Sequence, residues 1–484
     1  MSKIVKNYIY NILYNLAALV IPLLTAPYLA RKLGADLLGI FAYIQSSTSV
    51  ICTISMLGTY TYGNRQVAYT RDSKDQMSKE FCNIMGLRLF LGIIGTMIYL
   101  VFGFCSEYWR YFLLYYIFYL GYVLDCSWLF VGVEDMKICT LKNFFAKAGS
   151  AVCIFLFIKS EKNFLLYILI LSAATFLANV SVYTQIKKYV KLCRVQLSSL
   201  LPNLKAAFQL CLPTLVSTVY LQVDKLMIKW ITGNAYEVTY YDQAEKIIMI
   251  PLAFITVLST VMMPRIANEF HNGQQGHVKN LIGKACSYSM MMACPLMFGM
   301  AGIATHFIPW YLGDGYFPVA YAIIVLAPYV ITNTLIGISG GQYFMATDQI
   351  PILLKGNILG MVANVITNSI LIPVLGYLGA TVATVIAQCL MIVYQYYHMN
   401  KQIGVMSVIL RQVKYLLYGG LMFVAVWLAG RNQDASVAVT IGQIVVGMAV
   451  YFVILLLVRD RQMKELTGQV MGTIRGILRS KKNK

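Results

Sequence analysis

The sequence predicts an all-α, polytopic membrane protein of about fourteen spanning helices, and three observations carry that prediction. The chain is 59% hydrophobic and only 12% charged over 484 residues, whereas a soluble domain is about a quarter charged. Apolar runs of about 20 residues, the length that crosses the hydrocarbon core, recur from end to end. Several runs carry Asp, Lys, Asn or Ser along one helical face. Such a face has to turn inward, because a charge facing lipid costs several kcal/mol. Stripes of this kind on several helices describe a bundle around a shared polar interior, the architecture of a carrier.

The first run, 8–30, holds Pro22 and Pro27. It is too long for a signal h-region and reads as the first span, with no cleavable leader expected. The others fall near 38–61, 84–104, 108–131, 143–158, 163–183, 207–232, 241–264, 281–304, 318–338, 356–375, 377–398, 413–430 and 437–458. An even number puts both termini on one side. Most of the 39 lysines and arginines lie in the segments 65–79, 187–205, 265–284, 401–414 and 459–484, all on that side. The positive-inside bias makes it the cytoplasm.

The net charge of +20 is thereby explained by topology and by attraction to anionic lipids. A nucleic-acid partner is excluded, since no basic domain with interleaved aromatics lies outside the membrane. The 11 cysteines form no CxxC pair and the 4 histidines no HExxH spacing. Neither a disulfide framework nor a metal site is expected, and no cofactor.

The basic stretch 187–205 separates an N-terminal lobe of six spans (1–190) from a second lobe of six (191–400). Two additional spans (401–458) and a basic cytoplasmic tail (459–484) follow. Leu33-Gly34 and Gly39-Ile40-Phe41-Ala42-Tyr43, between spans one and two, are echoed by Thr232-Gly233 and Val238-Thr239-Tyr240-Tyr241 between spans seven and eight. Six spans per half gives two repeats of the same orientation, a common transporter plan.

Span seven is the most informative. At 100° per residue, Thr214, Ser217, Thr218, Asp224, Lys225 and Lys229 share about 140° of arc, interrupted only by Leu221. Asp224 and Lys225 form either a structural ion pair or a cavity-lining pair that binds substrate or senses a coupling ion. Span eight opens with Asp242, Glu245 and Lys246; Asp242 and Lys246 can pair at i,i+4, leaving Glu245 as the spare carboxylate. Asn11 and Asn15 on span one, Gln45 on span two, and Asn364 and Asn368 on span eleven serve as interhelical hydrogen-bond partners or as cavity lining. Asp125 stands isolated in span four, a candidate proton or sodium site. Arg65, Arg88 and Arg265 sit near cytoplasmic span ends. Turned outward they snorkel to head groups; turned inward they form a cationic vestibule suited to phosphate groups.

Stretches spread along the chain resemble a known family. They include Lys6-Asn7-Tyr8-Ile9-Tyr10-Asn11, Pro27-Tyr28-Leu29-Ala30-Arg31-Lys32-Leu33-Gly34, Tyr62-Gly63-Asn64-Arg65, Val223-Asp224-Lys225-Leu226-Met227-Ile228, Met263-Pro264-Arg265 and Gly376-Tyr377-Leu378-Gly379-Ala380-Thr381. In order and spacing they look like the polysaccharide flippases of the Wzx type, within the multidrug, oligosaccharidyl-lipid and polysaccharide exporter superfamily. The resemblance implies two six-helix lobes in a V plus two C-terminal helices. It implies a bacterial cytoplasmic membrane and alternating access for an undecaprenyl-diphosphate-linked oligosaccharide. A proton or sodium gradient would drive transport, and a polysaccharide polymerase and chain-length regulator would act downstream. The matching positions are Arg31, Arg65, Asp224, Lys225 and Arg265. Two rivals stand beside this reading. A multidrug exporter of the same superfamily would want an acidic cavity. A membrane-embedded polymerase or acyltransferase would need a large external loop or a membrane-embedded catalytic His, and neither is evident.

Overall fold

The computed structural model describes residues 3–465 apart from 461, with side chains from Val20 onward except those of 197, 199 and 256–261. The segment 466–484, most of the expected basic tail, lies outside the described residues.

The first helix, α1 (Lys3–Met56), is 54 residues long, about 80 Å if it were straight and far more than one crossing needs. Its backbone leaves helical geometry at Gly34 (φ 76°, ψ 171°), between the two spans read from the sequence. After a second break at Leu57-Gly58 come α2 (Thr59–Thr70) and α3 (Lys74–Phe104), whose first turn is capped by Ser73 accepting from the Gln76 N–H. The next crossing is interrupted: α4 (Trp109–Val123) stops and α5 (Ser127–Gly132) resumes after Leu124-Asp125-Cys126. Then follow α6 (Met136–Phe157), α7 (Phe164–Ser181), α8 (Tyr183–Tyr189), α9 (Leu197–Thr232) and α10 (Ala235–His271). Next are α11 (Gln275–Tyr311), α12 (Phe317–Leu326) and α13 (Tyr329–Ile336), which runs on into π-helical turns over Gly337–Phe344. The chain bends by 46° between α12 and α13, at Pro328, whose ring cannot continue the hydrogen-bond ladder. The last helices are α14 (Ile350–Leu375), α15 (Tyr377–Ile403), α16 (Met406–Leu410), α17 (Lys414–Gly430) and α18 (Val437–Leu457).

Among the described residues, 11 helices are long and apolar enough to cross a membrane, or 12 if the bent pair around Pro328 is one span. The expected fourteen is not reached by this count. Two helices make the difference. The stretch on both sides of Gly34 counts once, and the 37-residue α10 is not tested whole as a span, because the count takes in only residues with described side chains and those of 256–261 are not among them.

The chain divides between Asp242 and Gln243 into two compact units, so α9 packs with the first, against α1, α2 and α3. The core of unit 1 is aromatic. Trp128 is fully buried and stacks on Phe81 at 5.3 Å. The buried Tyr99 and Tyr119 spend their hydroxyls on the Phe112 and Gly92 carbonyls at 2.9 and 3.2 Å, as a buried phenol usually must. In unit 2, α11 touches α12, α13, α17 and α18, and α14 lies along α15. Helix α14 shows how a membrane inverts amphipathicity. Ile366, Ile370 and Val374, four residues apart, are exposed, while Asn364, Asn368 and Ile372 are buried.

Candidate functional site

The turn at Gly233 folds α10 back beside α9, and this brings two pairs of successive residues together. Lys225 Nζ lies 3.1 Å from Asp242 Oδ1. Tyr241 donates its hydroxyl to Asp224 Oδ2 at 2.5 Å. All four residues are buried. Asp242 therefore meets Lys225, a partner the i,i+4 reading of span eight did not name, and a phenol holds the Asp224 carboxylate. One buried carboxylate faces an ammonium and the other a phenol, so the patch can take a cation at a carboxylate and, by exchange at Lys225, an anion.

A second polar cluster sits at the interruption between α4 and α5. Arg88, 1% exposed, donates to the Tyr122 carbonyl at 2.7 Å and to Thr59 Oγ1 at 2.9 Å. Asn179 and Tyr183 satisfy the Gly121 and Leu124 carbonyls. These donors replace the hydrogen bonds α4 loses where it stops. Asp125 caps the restart, accepting from the Ser127 N–H at 3.1 Å, and pairs with Lys142 at 2.8 Å. Lys142 also donates to Ser127 Oγ and, at 2.6 Å, to Asn179 Oδ1. Asp125 is thus the centre of a network rather than an isolated acid, and Arg88 holds backbone together inside unit 1.

The remaining expected residues are scattered. Arg31, Arg65 and Arg265 are exposed, and Glu245 and Gln45 are half-buried. Ser217 is exposed and donates to the Pro213 carbonyl of its own helix. Asn364 and Asn368 are fully buried and bonded to each other at 3.1 Å. The side chains of Asn11 and Asn15 lie outside the described residues. Lys229, at the end of α9 away from the basic segments, reaches Glu107 at 2.9 Å and the Gly233 carbonyl at 2.6 Å. Hydrogen bonding to Lys229 holds the Glu107 carboxyl below the ordinary glutamate range.

Sequence reading missed several members of these sets. Lys142 stands one residue before its span and reads as interfacial, although its partner Asp125 is conspicuous. Gln388, Gln395 and Gln402 recur every seven residues, the spacing that keeps one seam of a helix facing a parallel neighbour. Gln388 meets Thr332, Ser339 donates to Gln395 at 2.5 Å, and Tyr343 donates to Gln402 at 2.6 Å. That heptad was the available signal. Among the described residues, no three His, Cys, Asp or Glu side chains converge as a metal site would require.

The model of the family described as "Polysaccharide biosynthesis protein" matches residues 4–270. The chain belongs to that family. The model described as "Lipid II flippase MurJ" matches residues 151–450 as well. This polysaccharide biosynthesis protein is therefore a multi-pass membrane transporter of the flippase type rather than an enzyme, within the exporter superfamily its motifs resemble. It is 21% identical over 356 residues to a protein of Escherichia coli (strain K12) named "Putative O-antigen transporter", an alignment spanning 70% of this chain and 83% of that one. Its fold is similar to that of a lipid II flippase MurJ in an inward closed conformation, with a TM-score of 0.71 at 16% identity over 93% of this chain and 99% of that one. An inward-facing multidrug resistance MATE family transporter gives a TM-score of 0.64 at 14% identity over 85% of this chain and 94% of that one.

Proposed function

We propose that this transporter moves an oligosaccharide linked to undecaprenyl diphosphate from the cytoplasmic to the outer leaflet of a bacterial cytoplasmic membrane. Two six-helix lobes would expose the substrate path to each side in turn, with both termini cytoplasmic. The observation that carries the reading is the buried set Asp224, Lys225, Tyr241 and Asp242 on α9 and α10. A diphosphate arriving at Lys225 competes with Asp242 for the ammonium. The displaced carboxylate then takes a proton or sodium ion, since an uncompensated buried charge is strongly disfavoured. Uptake of the ion and binding of the anion become coupled steps at one place, and so do their releases. The exposed Arg31, Arg65 and Arg265 supply charges that gather diphosphate head groups and anionic lipids. Polymerase and chain-length regulator would consume the product.

The test is flipping of a labelled undecaprenyl-diphosphate oligosaccharide in reconstituted vesicles. Lys225→Ala lowers the rate at least about tenfold, as loss of a charged hydrogen-bond partner does, and Asp242→Asn alters its dependence on the proton or sodium gradient. Wild-type rates in both variants would remove the site from the mechanism. The MATE-like fold keeps multidrug export as the second reading. Drug resistance conferred on a sensitive host, without flipping, would favour it.

A further inference from the structure

The turns at Gly34 and Gly233 echo each other in sequence, and in unit 1 they meet. Thr239, just after the second turn, donates to the Ala35 carbonyl, just after the first, at 2.5 Å. At Gly39 the backbones touch: a Cβ there would lie 1.7 Å from the Ala235 carbonyl oxygen. Trp230 donates its indole N–H to the Tyr43 hydroxyl at 3.1 Å. Lys229 joins the same assembly to the turn between α3 and α4, through Glu107 at 2.9 Å and the face of Tyr108 at 4.9 Å. All these residues lie at the helix ends remote from the basic segments. Each contact is modest, and Glu107 is 65% exposed, so its ion pair is of the weak, readily broken kind. The buried Lys142–Asp125 pair, with a carboxylate only 18% exposed, is of the opposite kind.

We propose that these contacts form a latch that shuts the exit of the substrate path, with the Lys229–Glu107 pair as its polar bolt, so that Lys229 acts in closure rather than as a ligand of the diphosphate. The inference rests on the alternating-access reading above. It gives the two echoing turns one joint role, meeting when the exit is closed and separating when it opens.

The experiment uses Ala235→Cys, a buried position under the latch, with the exposed Cys105 changed to Ser. A membrane-impermeant maleimide is applied to intact cells, and flipping is measured in vesicles. Lys229→Glu and Glu107→Lys each raise labelling about fivefold, and the double exchange K229E/E107K returns both labelling and flipping to the wild-type level. Trp230→Phe, which alters no charge, gives a smaller rise. Unchanged labelling in all three single variants overturns the latch. So does loss of flipping in Lys229→Glu that the exchange does not repair, because a diphosphate ligand would behave that way. If the wild-type protein flips no lipid, the transport reading fails while labelling still decides the latch.

Discussion

The two units solve the same problem with different chemistry. Unit 1 buries Arg88, Lys142, Asp224, Lys225, Lys229 and Asp242, whereas in unit 2 the buried polar groups among the described residues are amides and hydroxyls, with Asp460 the lone charged exception. Asp460 lies past the end of α18, where burial pushes its carboxyl up but Lys414 and Tyr415 outweigh that and hold it below the ordinary aspartate range. An amide seam such as Gln388–Thr332 and Gln395–Ser339 fixes the register of two helices and responds to no ion. A buried ion pair can be exchanged by an arriving ion and fails badly when one member is lost. The difference assigns rigidity to one unit and responsiveness to the other.

The sharpest way to break this contrast is to remove one charge from unit 1. Lys142→Met leaves Asp125 without its ammonium and lowers stability by about 3–5 kcal/mol, read as unfolding in mixed micelles. Asp125→Asn in the same chain recovers much of the loss. A Lys142→Met protein as stable as wild type would show that charge is not what holds unit 1. Next in size, Tyr241→Phe removes the phenol from Asp224 and costs about 1.5–3 kcal/mol, the range for a hydrogen bond to a charged group. In unit 2, Gln388→Leu costs only about 0.6 kcal/mol, typical of interhelical hydrogen bonds in membranes. If the unfolding shift matched that of Lys142→Met, the two interiors would be equivalent after all.

The smallest effect is on pH. The folded-state pKa of Glu107 is depressed by Lys229, with Tyr108 also against it. Its contribution is therefore complete above the ordinary glutamate value of about 4.3 and is lost as pH falls through the lower folded value. Labelling of Ala235→Cys, taken relative to a fully exposed cysteine so that the thiol's own ionisation cancels, stays flat from about pH 8 to 5 and rises only below about pH 4. A rise near neutrality would point to another titrating group.

The membrane class, the break at Gly34 and most span positions were legible because each follows from local chain properties: hydropathy, length and glycine at a positive φ. The polar stripe on α9 was legible as a pattern, but only its second half, Asp224, Lys225 and Lys229, is buried, while Thr214 and Ser217 are exposed. What could not be read was partnership. Asp224 and Lys225 are neighbours in sequence, yet they serve Tyr241 and Asp242 separately, a choice made by how two helices rotate against each other. Lys142 finds Asp125 across 17 residues and an interrupted helix, which no periodicity encodes. Glu107 looked like ordinary loop charge until the end of α9 was placed beside it.

At position 39 the spacing between main chains leaves room for a hydrogen atom and nothing larger. One added methyl would work as a doorstop, keeping the far mouth ajar while altering no charge and hardly any hydropathy. The resting bias of a carrier of 484 residues then hangs on the smallest side chain available.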